Sequence, residues 1–147
     1  MVTKPLAENR RARFDYEILE TLEAGIELKG HEVKSVKSGR LGIAGSYAVI
    51  RGGEAWLLNS QIPPYQPKNT PPDYDPTRTR RLLLRSDEIK RLVGVLKEKS
   101  VTLVPLNAHL KRGIVKIELG IGRSKKKSDK REVLKKRAAE REMRRVA

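Results

Sequence analysis

From Phe14 to Lys29, apolar and polar side chains alternate with few interruptions, and this period restricts the folds open to the chain. Phe14, Tyr16, Ile18, Leu22, Ala24, Ile26 and Leu28 fall on even positions, whereas Asp15, Glu17, Thr21, Glu23, Glu27 and Lys29 fall on odd ones. Leu19 and Glu20 break the parity. Successive side chains of a strand point to opposite faces. Period two over about fifteen residues therefore predicts a long strand with one buried face, or two strands joined at a bend. Gly25, with no side chain to pack, is the natural bend. After it the period changes. Val33 and Val36 are three apart, which predicts one or two helical turns ending near Gly39.

Two hairpins follow the same logic. Residues 47–51 and 54–58 flank Gly52-Gly53, a pair that accepts the positive φ of a tight two-residue turn. Residues 101–110 and 114–121 flank Lys111-Arg112-Gly113, and Pro105, having no amide donor, marks an edge or a bulge. Between the hairpins, residues 62–77 hold six prolines and read as an extended surface loop. Ser86 or Asp87 then caps a helix whose apolar side is Ile89, Leu92, Val93 and Leu96. Short antiparallel strands, one long strand and an inserted helix predict a mainly β fold with two or three short helices. A small closed β-barrel of the oligonucleotide-binding (OB) type fits best, and a two-layer α+β sheet is the competing arrangement. The chain divides into a flexible basic arm (1–13), a barrel (14–122) and a basic tail (123–147).

Charge points to the partner. The chain carries 33 Lys/Arg against 18 Asp/Glu, a net +15. The tail alone holds twelve of those cations against four acids, so more than half the excess sits in a sixth of the length. Such a balance suits nucleic acid first and an anionic membrane second. No run approaches the ~20 apolar residues of a spanning helix, and Met1 to Glu8 lacks the apolar stretch of a secretory signal. With no cysteine and two histidines, neither a disulfide framework nor a zinc cluster is expected, nor any cofactor. A cytoplasmic binding protein is the expectation. Within the tail, Glu132–Lys136 and Glu140–Arg144 are favourable i, i+4 pairs, while Arg137–Arg141 and Arg141–Arg145 repel by similar amounts. The near-cancellation predicts a tail that is disordered alone and helical against phosphates.

Individual residues sharpen this reading. Arg78 and Arg80 would project from one side of an extended chain and could grip successive phosphates. Glu32 stands among cations and would repel phosphate, so at a nucleic-acid surface its use is to accept hydrogen bonds from base amino groups; the alternative is a salt bridge with Lys34, Lys37 or Arg40. Only six aromatic residues exist, few for a binder of single strands, which favours a folded RNA read by shape and a few unstacked bases. His31 and His109 are isolated, Asp73 and Asp75 lie in the proline-rich loop, and no nucleophile, base and orienting group come together. Catalysis is not expected.

Five segments in this order resemble the small protein B (SsrA-binding protein) family of bacteria: residues 9–16, 30–35, 75–84, 102–106, and Lys125-Lys126 followed by Asp129-Lys130-Arg131. The resemblance covers nearly the whole chain. It implies an OB-type barrel that binds the tRNA-like part of transfer-messenger RNA and escorts it to stalled ribosomes for trans-translation. There it would stand in for the missing anticodon arm, with the tail in the empty messenger channel near the decoding centre. Glu32, Lys34 and Leu84 match positions implicated in RNA binding, and Arg10, Arg11 and Arg13 match the basic arm. Lys125, Lys126, Asp129, Lys130 and Arg131 match the tail motif used on the ribosome, with Ser124 and Ser128 where the family usually has Gly and an aromatic or His. Transfer-messenger RNA and ribosomal RNA are thus the implied partners, without membrane or DNA. A structural ribosomal protein and an RNA-processing nuclease are the alternatives from other classes.

Overall fold

The computed structural model describes residues 5–98, 100–125 and 127–146. In chain order the elements are β1 (Ala7–Glu8), α1 (Arg10–Asp15), β2 (Tyr16–Ile26), α2 (Gly30–Lys37), β3 (Tyr47–Arg51), β4 (Glu54–Leu58), β5 (Arg80–Leu83), α3 (Ser86–Val95), β6 (Val101–Lys111), β7 (Ile114–Ser124) and α4 (Lys127–Val146). A 3-10 turn at Pro67–Asn69 interrupts the proline-rich loop.

Six antiparallel strands close in a ring, β6-β3-β4-β5-β2-β7 and back to β6, and β1 adds to the free stretch of the β6 edge. The sheet thus closes on itself, so the two-layer arrangement is not formed. The long alternating segment is one strand, β2, and its parity break is a bulge: the register against β7 shifts between Ile18 and Glu20. The extra residue, Leu19, is turned outward and 44% exposed. Gly25 marks the seam rather than a bend. Its backbone pairs with Lys116 on one side and Leu83 on the other, and an added Cβ would lie 3.2 Å from the Leu83 Cβ. Both hairpins form as expected. Gly52 and Gly53 have φ of 60° and 74°. The second turn is tighter than expected, with Arg112 itself at φ 53°. Pro105 sits at a register shift in β6, where its missing amide costs no ladder bond.

Inward side chains of the ring, including Leu57, Leu82, Leu103, Ile117 and Leu119, make one core with Val36 from α2 and Leu92 from α3. Helix α3 begins one residue earlier than a Ser86 cap requires and two earlier than an Asp87 cap requires. Arg85 is the N-cap, and its amide donates to Glu88 Oε1 at 3.1 Å.

Both termini are more ordered than charge suggests. In the arm, the Asn9 side chain accepts from the Ala12 amide at 3.2 Å and donates to the Pro105 carbonyl at 2.9 Å. That cap starts α1, which takes Phe14 out of the strand and buries Ala12 against Val104 and Leu106. Within the tail, the 20 residues Lys127–Val146, uninterrupted by Gly or Pro, form a helix of ~30 Å. The expected cancellation of side-chain pairs left out docking. The Arg137 guanidinium lies 5.6 Å and that of Arg11 5.2 Å from the Phe14 ring centroid, and Lys125 Nζ donates to the Arg13 carbonyl at 2.9 Å.

Gly122 tests the packing of β2 on β7. A Cβ there would sit 2.9 Å from the Tyr16 Cβ and 3.2 Å from its Cγ, atoms too close to the backbone to swing aside. Gly122→Ala should lower stability by about 1–3 kcal/mol. Urea unfolding reads this as a lower midpoint at unchanged slope, and an unmoved midpoint would show that the strands part freely.

Candidate nucleic-acid interface

Residue 32 follows Lys29 by three, and at the first turn of a helix that spacing lets a Glu side chain reach back to the preceding amide. Glu32 Oε1 accepts the Lys29 N–H at 2.8 Å. The rest of the carboxylate faces inward. Arg80 forks onto Oε2, with Nε at 2.9 Å and Nη2 at 2.7 Å. Arg78 bridges both oxygens, Nε at 3.2 Å from Oε2 and Nη2 against Oε1. The Tyr74 hydroxyl, 3.0 Å from Oε2 and 2.8 Å from the Ile62 carbonyl, donates to one of them and receives Arg80 Nη2 at 3.2 Å. Arg80 also donates from Nη1 to Ser60 Oγ at 3.1 Å and from Nη2 to the Pro76 carbonyl at 3.0 Å. The side chains of Glu32 and Arg80 are both 0% exposed, and that of Arg78 is 26% exposed.

These contacts decide the electrostatics. Burial pushes the Glu32 carboxyl up, but hydrogen bonds from Arg78, the Lys29 amide and Arg80 outweigh it and hold the group at about 2. Burial, then the neighbouring Glu32 charge, pushes the Tyr74 hydroxyl up from its ordinary value. One carboxylate against two guanidiniums leaves one positive charge in excess, and Arg78 is the member that reaches the surface.

The expected residues divide accordingly. Glu32 was expected to accept from base amino groups or to pair with Lys34, Lys37 or Arg40; instead its acceptor sites are filled by the Lys29 amide and by side chains 42 to 48 residues away. Arg80 was expected to grip phosphate beside Arg78; both do project to one side, but the Arg80 guanidinium is fully engaged inside the protein. Lys34 is exposed on α2. Leu84 is brought elsewhere, half-buried in a separate groove with Leu22, Leu82 and Val93. Arg10, Arg11 and Arg13 are exposed on α1, Arg10 beside Glu8 and Arg11 beside Asp15. Lys125 meets α1 through Arg13, and Arg131 is exposed on α4. Asp129 and Lys130 lie within α4, which starts at Lys127. Lys126 lies outside the described residues.

Sequence reasoning missed Tyr74 and Ser60, which close the cluster. One signal was present in Asp75-Pro76-Thr77, a turn sequence: Asp75 Oδ1 accepts from the Thr77 amide and hydroxyl, both at 2.9 Å, and turns the chain so that Arg78 and Arg80 face α2. Among the described residues no group of His, Cys, Asp and Glu could hold a metal, and no helix is long and apolar enough to cross a membrane.

Removing one partner from a buried pair leaves the other charge uncompensated. Glu32→Ala should therefore destabilise the fold by about 3–5 kcal/mol in urea or thermal unfolding. The pH dependence has a definite sign. The folded pKa lies below the ordinary 4.5, so the contribution is present above pH 4.5 and fades as pH falls toward 2. The parent should lose stability in that window relative to Glu32→Ala, and parallel curves would contradict the assignment.

A family model described as SmpB protein matches residues 6–147. The SsrA-binding protein of Gloeothece citriformis (strain PCC 7424) is 52% identical over 144 residues, 98% of this chain and 93% of that protein. The SsrA-binding protein of Thermosynechococcus vestitus (strain NIES-2133 / IAM M-273 / BP-1) is 51% identical over 143 residues, 97% of this chain and 94% of that protein. A chain from a solved structure described as "tmRNA-SmpB: a journey to the center of the bacterial ribosome" is 47% identical, with a TM-score of 0.69 over 89% of this chain and 95% of that one. Sequence and fold agree along nearly the whole length, and the chain belongs to the SmpB protein family.

Proposed function

We propose that this protein binds transfer-messenger RNA through its barrel and delivers it to stalled ribosomes for trans-translation, as a cytoplasmic adaptor without catalytic activity. The observation that carries this reading is the near full-length match to proteins named for binding SsrA, together with a solved relative described with tmRNA at the ribosome. The ring is read as an OB-type barrel with a sixth strand, and residues 14–122 as the RNA-binding unit. The tRNA-like part of the RNA lies against the surface around α2, where Lys34 and the outward edge of Arg78 supply cations for phosphate. Glu32 and Arg80 act one step back. Held inside, they fix Arg78 and the loop that carries it, so their contribution to RNA binding is positional. Leu84 contributes from its separate groove.

Arg10, Arg11 and Arg13 extend the positive surface at the other contact region, where α1 meets the start of the tail. The residues after 122 form the ribosomal part: Lys125, Lys126, Asp129, Lys130 and Arg131 contact ribosomal RNA, and α4 enters the empty messenger channel near the decoding centre while the protein stands in for the anticodon arm. A preformed helix reduces the ordering needed on binding. Ser128 removes the ring the family usually has there, so contact at that position rests on charge rather than stacking.

A gel shift with transfer-messenger RNA, against tRNA and random transcripts of equal length at two salt concentrations, tests the reading. Preference for transfer-messenger RNA should persist at both while all affinities fall with salt; equal affinity for the random transcripts would overturn it. Arg78→Ala should weaken that binding by roughly tenfold, the loss of one charge-assisted hydrogen bond. Truncation after Gly122 should leave RNA affinity nearly unchanged and abolish peptide tagging at stalled ribosomes, and tagging that survives would separate the tail from the ribosomal step.

A further inference from the structure

Beside the Glu32 cluster lies a cavity of about 310 Å³, lined by His31 and Lys34 of α2 and by Tyr65, Gln66, Asn69 and Thr70 of the proline-rich loop. Its walls are fixed. Ser35 Oγ donates to the Pro63 carbonyl at 2.7 Å and ties the loop to α2. The Arg40 guanidinium donates to the Tyr65 carbonyl at 3.3 Å and stands 5.6 Å from the Tyr65 ring centroid. Thr70 Oγ1 donates to the Gln66 carbonyl at 2.8 Å, closing the turn between them.

The polar groups here are arranged as if for a partner they lack. Asn69 Nδ2 donates to Gln66 Oε1 at 2.7 Å. That bond sets the two amides side by side and leaves Asn69 Oδ1 as an acceptor and Gln66 Nε2 as a donor. The His31 ring packs edge-on against Tyr74, centroids 4.7 Å apart at 88°. Both its ring nitrogens are shielded from solvent and have no hydrogen-bond partner. A buried imidazole with neither nitrogen paired is uncommon and costs stability. Turning the ring about its side-chain bonds brings a nitrogen to whatever fills the cavity it lines.

We propose that this cavity receives a single unstacked nucleobase of a bound RNA. An aromatic surface from Tyr65, an adjacent amide donor and acceptor, an unpaired imidazole and the Lys34 ammonium are what one base and its phosphate require. The volume suits a small planar group, at the lower end of ligand sites. The site takes the base-reading role that the burial of Glu32 withholds from that carboxylate. It rests on the proposed RNA-binding function and deepens it, since Tyr74 links the cavity to the Glu32 and Arg78 cluster.

Two measurements on the full chain decide it. In the first, the isotope-labelled protein is titrated with the four nucleoside 5′-monophosphates and with ribose 5-phosphate as a base-free control, following NMR signals of the Gln66 and Asn69 side-chain amides and the His31 ring. At least one nucleotide should give saturable shifts at millimolar concentration. No shifts, or equal shifts from ribose 5-phosphate, would overturn the proposal. In the second, His31→Ala and Asn69→Ala should each lower affinity for transfer-messenger RNA by roughly 5- to 100-fold, the cost of leaving one buried polar group of the base without its hydrogen-bond partner, with unchanged circular dichroism. Undiminished affinity in both variants would also overturn it. If the parent itself showed no preference for transfer-messenger RNA, the functional reading would fall, and the nucleotide titration would still decide the cavity.

Discussion

The Glu32 carboxylate, buried at 0% exposure beside an equally buried Arg80, is the constraint to which α2, β5 and the loop between them answer. Neither charge could stay there alone, because an unpaired ion in a low-dielectric interior is far costlier than a broken surface pair. The pair is accepted because it is saturated: four groups of the protein converge on one carboxylate, and Arg80 places its remaining hydrogens on Ser60, Tyr74 and backbone carbonyls. That network fastens α2 to the start of β5 and to the loop between them. A loop with six prolines in residues 62–77 has little ladder bonding of its own. Its conformation is set instead by Tyr74 and the Pro76 carbonyl, both caught by Arg80.

Much of the barrel could be read from the sequence, for a local reason. Alternation, turn glycines and a proline without its amide act on neighbours, so β2, both hairpins and the irregularity at Pro105 were legible residue by residue. Even the failures of parity at Leu19 and Glu20 carried information, since a bulge inserts one residue and reverses the faces beyond it. The SmpB family assignment was legible too, from five ordered segments. The side-chain partners of Glu32 were not legible, being 42 to 48 residues away, and hydropathy treats an arginine such as Arg80 as exposed. The termini were misread for a related reason. Charge suggested a flexible arm and a tail disordered alone, but Asn9 caps one and Phe14 offers a ring to cations from both.

The contact at Phe14 also bears on how charge is distributed. Two basic helices would ordinarily separate, yet a ring accepts guanidinium groups face-on, and a lysine finds a carbonyl at the end of its neighbour. These contacts join α1 to the tail, on elements other than the α2 and β5 that carry the Glu32 cluster. Two separate cationic regions on one small barrel suit a molecule that holds one RNA while presenting a second surface to another.

Burying the acid on α2 has a chemical consequence for recognition. On the proposed function, an exposed Glu32 would repel the phosphates assigned to Lys34 and Arg78, and its paired, inward placement removes that conflict while leaving one positive charge in excess. With its acceptor sites filled, the carboxylate is then a poor reader of bases. In that proposal the reading falls to polar groups next to the cluster. Those are the unpaired His31 nitrogens, with the Asn69 Oδ1 acceptor and the Gln66 Nε2 donor left over from the bond between the two amides across the same cavity. Rigidity supplied by ions inside and the proposed selectivity of side-chain amides outside are complementary, since amides hold a base without adding to the salt-sensitive attraction that any polyanion would feel.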